Sequence, residues 1–290
     1  MFKGSMVPIV TPFKAGEIDE KGFRNLIEFH IKSGTDAIIP CGTTGESATL
    51  THKEHEKLVD ICVEAVNHRV PVIAGTGSNS TAEAIQLTTY AKKAGADGAL
   101  LITPYYNKPT QEGLHQHYKA IADETDLPLI LYNVPSRTGV NLLPETVAKL
   151  SEVPTIVGIK EATGSLRQIC EIIHLCGEKC SIFSGDDFTN YAILAVGGKG
   201  IISVTANIVP DKIAAMWDDF ESGDFEKSRE IHYQLLSLHN AMFLETNPIP
   251  VKTALGLMGK ISPEMRQPLS IMSQSNLEKL KKTMAKYDLI

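Results

Sequence analysis

No stretch of the 290-residue chain is apolar for long enough to cross a bilayer, and the opening MFKGSMVPIVTPF holds no run of signal-peptide length with a small-residue cleavage site. A soluble, cytoplasmic protein is therefore expected, with no membrane partner. Cations are not in surplus either: 28 Lys and Arg stand against 34 Asp and Glu, for a formal net charge of −6. Nucleic-acid recognition needs basic residues clustered on one face, so no nucleic-acid partner is expected. Small anionic substrates are not excluded, because a few local cations act inside an acidic protein. The five cysteines, Cys41, Cys62, Cys170, Cys176 and Cys180, are odd in number and lack paired CxxC spacing, which argues against a disulfide framework or a zinc site. Reduced, mostly buried thiols are expected. No HExxH pattern, Gly-Lys-Ser/Thr phosphate-loop ending, Gly-rich dinucleotide turn, internal repeat or low-complexity tract is present.

What the chain does contain is alternation. Short apolar runs rich in Val and Ile occur at residues 6–10, 37–40, 72–75, 99–102, 129–132, 156–160, 181–184 and 200–204. Each is nearly continuous rather than alternating, as strands buried on both faces of a parallel sheet must be. Amphipathic helical stretches separate them, at residues 20–33, 52–67, 81–94, 112–125, 144–150, 166–176, 188–196 and 210–220. Thr51 with Glu54 and Ser80 with Glu83 form the S/T-x-x-E pattern of a capping box, and Gly34, Gly95 and Gly197 sit where left-handed C-caps are expected. Eight strand-helix units predict an α/β fold, the (β/α)8 TIM barrel, in preference to a doubly wound sheet. After about residue 222 the strand pattern stops. Helices at 225–244, 251–258 and 276–287 read as a C-terminal helical extension, giving a barrel over 1–222 and a helical region over 223–290 packed on it.

In such barrels the C-terminal ends of the strands form the active face. There the sequence offers Cys-Gly-Thr-Thr-Gly-Glu-Ser over 41–47, Tyr-Asn-Val-Pro-Ser-Arg-Thr-Gly over 132–139, Lys-Glu-Ala-Thr-Gly over 160–164 and Gly-Asp-Asp over 185–187. Lys160 ends an apolar strand, so desolvation at the barrel mouth would lower its pKa and free a nucleophilic amine for a carbonyl; the alternative is an ordinary strand-terminal lysine in solvent. Tyr132 ends the neighbouring strand and can move a proton near that amine, or serve as a buried structural tyrosine. The Gly42–Gly45 turn offers backbone N–H groups and two hydroxyls to a carboxylate, and Arg137 a planar fork to a second one. His52 and His55 lie three apart on one helix and, without a ligand pattern around them, read as a surface pair rather than a metal site.

Taken in order, these segments together with Tyr-Tyr-Asn at 105–107 and Asn-Pro-Ile-Pro at 247–250 resemble dihydrodipicolinate synthase, from Gly4 to Pro250. The resemblance implies a class I aldolase-type lyase in which Lys160 forms a Schiff base with pyruvate, and the resulting enamine attacks L-aspartate 4-semialdehyde. It implies that Tyr132 and Thr43 form a proton relay completed by Tyr106 of a neighbouring subunit, and hence a homotetramer built as a dimer of dimers. Thr44 would lie beside the pyruvate carboxylate and Arg137 would hold the semialdehyde carboxylate, with Gly185 and Ile202 as further substrate-binding positions. No cofactor and no metal are implied. Family members inhibited by L-lysine bind it at a dimer interface, and the matching residues are Ser47, Ala48, His52, His55, Asn79, Glu83 and Tyr105. Glu83 would take the ammonium, Asn79 and Tyr105 the carboxylate, and Tyr105 would pass the effect to Tyr106. Two other readings stand beside this one: N-acetylneuraminate lyase or a related 2-oxo-sugar-acid aldolase, and a non-catalytic barrel that senses a 2-oxo acid or amino acid.

Overall fold

A computed structural model describes residues 2–290. Eight parallel strands carry the fold: β1 Gly4–Pro8, β2 Ala37–Ile39, β3 Ile73–Gly75, β4 Gly98–Ile102, β5 Leu129–Asn133, β6 Ile156–Glu161, β7 Ser181–Ser184 and β8 Gly200–Ile202. They pair in the order β2-β1-β8-β7-β6-β5-β4-β3. The seam between β2 and β3 is closed by a parallel bridge, Ile38 with Val72, and by a 2.9 Å bond from the Gly75 amide to the Pro40 carbonyl. Gly75 is required at this seam, because a Cβ there would fall against the Cys41 carbonyl. The expected (β/α)8 barrel is thus present.

Eight helices follow the strands: α1 Glu20–Lys32, α2 His52–Val66, α3 Thr81–Ala94, α4 Gln111–Glu124, α5 Pro144–Leu150, α6 Leu166–Cys176, α7 Asn190–Ala195 and α8 Pro210–Glu221. The capping box at Thr51 is closed in both directions. The one expected at Ser80 is only half made. The Ser80 hydroxyl accepts from the Glu83 amide, but the Glu83 carboxylate turns away to Ser78 and His52, which compete for it more strongly than a single backbone donor. A small antiparallel ribbon, Phe13–Lys14 with Glu17–Ile18, and a one-turn helix, Pro135–Thr138, went unanticipated. Both are too short to carry periodicity.

Burial is organised in two shells. Met6, Ala37, Ile39, Ile73, Leu100, Ile130, Phe183 and Ile202 fill the lumen of the barrel, while residues on the opposite strand faces pack against the helices. That outer core continues into the C-terminal helices α9 Phe225–Ala241, α10 Ile249–Leu257 and α11 Gln274–Ala285, through Leu235, Leu238, Val251, Leu255, Leu280 and Met284. Polar locks add to it. Lys252 of α10 pairs with Glu46 in the loop after β2, with side-chain exposures of 0% and 1%. The Arg266 amide donates to the other Glu46 oxygen at 3.0 Å, and its guanidinium forks onto Glu54 at 2.9 and 2.5 Å, holding that carboxyl down at about 2.

Candidate active site

Lys160 lies at the C-terminal end of β6, directly beside Tyr132 of β5 in the strand register. Parallel pairing within a closed barrel carries both side chains to the same mouth. The lysine is 5% exposed, and its Nζ sits 4.2 Å from the centroid of the Tyr132 ring. Burial penalises the ammonium and lowers its pKa from 10.5 to about 7; Asp187 opposes the shift and Arg137 adds to it. Gly185 leaves room for this side chain, since a Cβ there would stand 2.9 Å from both Cε and Cγ of Lys160. Ile202 is buried in the lumen beneath.

Tyr132 is buried, and its phenol is pushed above its ordinary pKa by desolvation, with Arg137 and Thr43 acting in the lowering direction. Thr43 and Thr44 belong to a tight turn in which Gly45 and Ser47 donate to the Gly42 carbonyl at 3.0 and 3.4 Å. Thr11 fixes the turn from below, its hydroxyl donating to the Gly45 carbonyl at 2.7 Å. Thr44 is buried, and its hydroxyl accepts from Asn247 Nδ2 at 3.0 Å. The Asn247 carbonyl in turn accepts from Arg137 Nη2 at 3.1 Å, while Asn247 Oδ1 is buried with no donor among the described residues. Asn247 therefore joins the two proposed carboxylate-holding residues. In the sequence Asn247-Pro248 suggests no role of its own; its one signal is that the dipeptide stands outside the barrel pattern.

A cavity of about 440 Å³ opens over these groups. Thr43, Tyr132, Arg137 and Asn247 line one part of it, and Ser47, Ala48, His52, His55, Glu83 and Tyr105 the other. Lys160, Thr44, Gly185, Ile202, Asn79 and Tyr106 do not line it; of these Lys160, Thr44 and Ile202 are buried. The two histidines are not a surface pair. His52 is exposed and meets Glu83 at 2.7 Å, whereas His55 is buried and bonds the Gly75 carbonyl through Nε2 at 2.7 Å. Since a carbonyl only accepts, that Nε2 carries the proton, and burial keeps the ring neutral by lowering its pKa. Glu83 is held below its ordinary pKa by Ser78 and His52. Asn79 donates to the Tyr105 carbonyl at 3.2 Å.

Tyr106 stands apart. It is 89% exposed and has φ of 73°, a left-handed conformation that costs about 1–2 kcal/mol in a residue with a bulky side chain. The turn that imposes it is pinned by Asn107, which donates from its side chain to the Asn79 carbonyl at 2.8 Å.

An eight-stranded barrel that brings a buried lysine of near-neutral pKa beside a tyrosine at its mouth has the constitution of an aldolase-type lyase. The whole chain bears this out in comparison with known proteins: residues 1–287 match the Dihydrodipicolinate synthetase family, and the chain belongs to that family. It is 64% identical, over the full length of both chains, to the 4-hydroxy-tetrahydrodipicolinate synthase of Thermodesulfovibrio yellowstonii. Among solved structures it is similar to the chloride-inhibited dihydrodipicolinate synthase of Acinetobacter baumannii complexed with pyruvate, with 47% identity, TM-score 0.98 and complete coverage of both chains. It is likewise similar to the enzyme of Cyanidioschyzon merolae with lysine bound, at 41% identity and TM-score 0.96, covering 100% of this chain and 99% of that one.

Proposed function

We propose that this protein condenses pyruvate with L-aspartate 4-semialdehyde through a Schiff base on Lys160, giving 4-hydroxy-tetrahydrodipicolinate, and that L-lysine inhibits it. The carrying observation is the buried Lys160 beside Tyr132, with its pKa lowered to about 7. At pH 7 that shift raises the neutral, nucleophilic fraction of the amine by roughly a thousandfold over a lysine in solvent.

The amine adds to C2 of pyruvate and expels water, leaving an iminium. The iminium draws electrons from the methyl group, which loses a proton and becomes the enamine carbon. That carbon adds to the aldehyde of the second substrate while the aldehyde oxygen takes a proton delivered through Tyr132 and Thr43. The substrate's own amine then displaces Lys160 from C2, closing the ring and returning the free lysine. Thr44 takes the pyruvate carboxylate and Arg137 the semialdehyde carboxylate, whose positions are tied together through Asn247. Tyr106, exposed and held outward, completes the relay in a neighbouring subunit of a homotetramer. L-lysine occupies the Ser47, Ala48, His52, His55, Glu83 and Tyr105 part of the cavity, with Asn79 steadying Tyr105. Its ammonium meets Glu83. Among the described residues no helix is long and apolar enough to cross a membrane, and all five cysteines are free thiols, which supports a site of action in the cytoplasm.

The test is borohydride reduction with pyruvate, followed by peptide mass mapping, and then initial rates with both substrates as L-lysine is titrated. A reduced pyruvate adduct on Lys160 and a rate that falls with L-lysine are expected. An unmodified Lys160 would remove the Schiff-base reading, and a rate indifferent to L-lysine would remove the inhibitory site.

A further inference from the structure

Asp187 follows β7 and is 2% exposed. Its carboxylate accepts three hydrogen bonds, all from neutral donors: Asn190 Nδ2 at 3.0 Å, the Thr205 amide at 3.0 Å and the Thr205 hydroxyl at 3.1 Å. Among the described residues no cation pairs with it in contact. A carboxylate buried among neutral donors directs its field at whatever positive group lies near. Here that group is Lys160: β7 pairs directly with β6, Phe183 lying opposite Lys160 and Ser184 opposite Glu161, and Gly185, two residues before Asp187, abuts the Cγ and Cε of the lysine, so the carboxylate stands on the lysine's side of the mouth and favours its charged form.

Behind the carboxylate the hydrogen positions are dictated. The Thr205 hydroxyl has one proton and gives it to Asp187, since a carboxylate only accepts. His239 Nδ1, 2.8 Å from the same hydroxyl oxygen, must therefore donate to it. The Nδ1–H tautomer is fixed, and His239 Nε2 is left buried without a partner among the described residues. Burial pushes both His239 and His232, whose ring centroids are 6.0 Å apart, toward the neutral form. Neutrality matters, because a cation at His239 would cancel the field that Asp187 presents to the lysine. The other charged or titratable groups facing this set are Asp186 from the same loop, His232 from α9 and Arg137 across the mouth.

We infer that Asp187, held in place by Thr205 and the neutral His239 of α9, is the buried counter-charge of the cation formed on Lys160, and that Thr205 and His239 are positioning residues for the reaction. The inference rests on the Schiff-base reading of Lys160. It gives the C-terminal helical region a part in the chemistry, although none of its residues in this chain of bonds touches the substrate.

The experiment measures the borohydride-trapped pyruvate adduct at subsaturating pyruvate as a function of pH, in the full-length protein and in folded variants checked by circular dichroism. Asp187→Asn keeps the shape and removes the charge. Its acid limb should move down by about one pH unit, as expected for loss of one opposite charge, and its adduct yield above that limb should fall roughly tenfold. Thr205→Val and His239→Leu should shift both readouts the same way by less, whereas Thr205→Ser and His239→Asn, which retain the hydroxyl and a donor, should stay near the parent protein. Asp187→Asn with the parent's limb and yield would overturn the inference. So would equal behaviour of Thr205→Ser with Thr205→Val and of His239→Asn with His239→Leu, and these pairs decide the matter if Asp187→Asn does not fold. Absence of any adduct on the parent Lys160 is a distinct result, which removes the Schiff-base reading and this inference with it.

Discussion

Lys252 of α10 and Glu46 of the loop after β2 are 206 residues apart in sequence and meet as a buried ion pair. Glu46 holds a left-handed backbone, φ 55°, at the point where the chain turns from Thr43 and Thr44 toward α2. The pair thus anchors the turn that supplies the hydroxyls of the mouth. Removing one partner of a buried pair leaves an uncompensated charge, so Lys252→Met should destabilise the protein by about 3–5 kcal/mol. Lys252→Met with Glu46→Gln should recover part of that loss. Urea unfolding of the three proteins measures both, and an unchanged midpoint for the single variant would show that the loop does not depend on the pair.

Gly185 is a second test of packing at the site. A methyl group there would press on the Lys160 side chain at two carbons, 2.9 Å from each, and the lysine would have to leave its place over Tyr132. Displacing a reacting group by about 1 Å costs on the order of a hundredfold in rate. Gly185→Ala should lower kcat/KM for pyruvate by about that factor with little change in thermal midpoint.

Which features were legible in the sequence follows from how far apart their causes lie. The strands could be read because burial on both faces makes each one locally apolar, and Lys160 because it breaks such a run at its end. The His55 bond to Gly75 was not legible: a histidine three residues from His52 looks like its twin until the barrel turns one ring inward. Glu83 was read as a capping-box residue because its spacing from Ser80 is local, whereas its competing partners include His52, on another helix. Asn247 and the Asp187–Thr205–His239 chain join residues far apart in sequence, and no periodicity or motif encodes such pairings.

The lowered pKa of Lys160 fixes two signs. The amine is free above about pH 7, so kcat/KM for pyruvate should rise with pH along an acid limb near that value. For stability, the unfolded chain holds the proton up to the ordinary 10.5 while the folded protein gives it up near 7. Folded stability attributable to this group therefore rises with pH between those values, and the cost of burying the ammonium is fully present below 7. Lys160→Met should accordingly raise the thermal midpoint relative to the parent, more at pH 6.5 than at pH 9.5. A difference independent of pH would mean that Lys160 titrates normally.

Glu83 offers a charged acceptor at the end of the cavity proposed for L-lysine, its carboxyl held below its ordinary pKa by Ser78 and His52. A charge-assisted hydrogen bond to an ammonium contributes about 1.5–3 kcal/mol. Glu83→Gln should therefore raise the L-lysine concentration for half inhibition by roughly tenfold or more. Retention of the parent value would place the ammonium elsewhere in the cavity.

Tyr106 accepts a strained backbone to stand almost wholly in solvent, an arrangement with no return inside a single chain. If it serves a neighbour's site across a twofold interface, two inactive proteins can repair one another. Tyr106→Phe should lower kcat by about 10²–10⁴, the range for loss of a positioned proton-transfer group, and Lys160→Met should abolish turnover. In a pair made of one of each, one site combines the intact Lys160 of the first subunit with the intact Tyr106 of the second, and the other site lacks both. Random reassociation of equal amounts should restore activity to about a quarter of the parent value, because half the pairs are mixed and each holds one competent site of two. Activity equal to the sum of the separate variants would mean that each Tyr106 works within its own subunit or not at all.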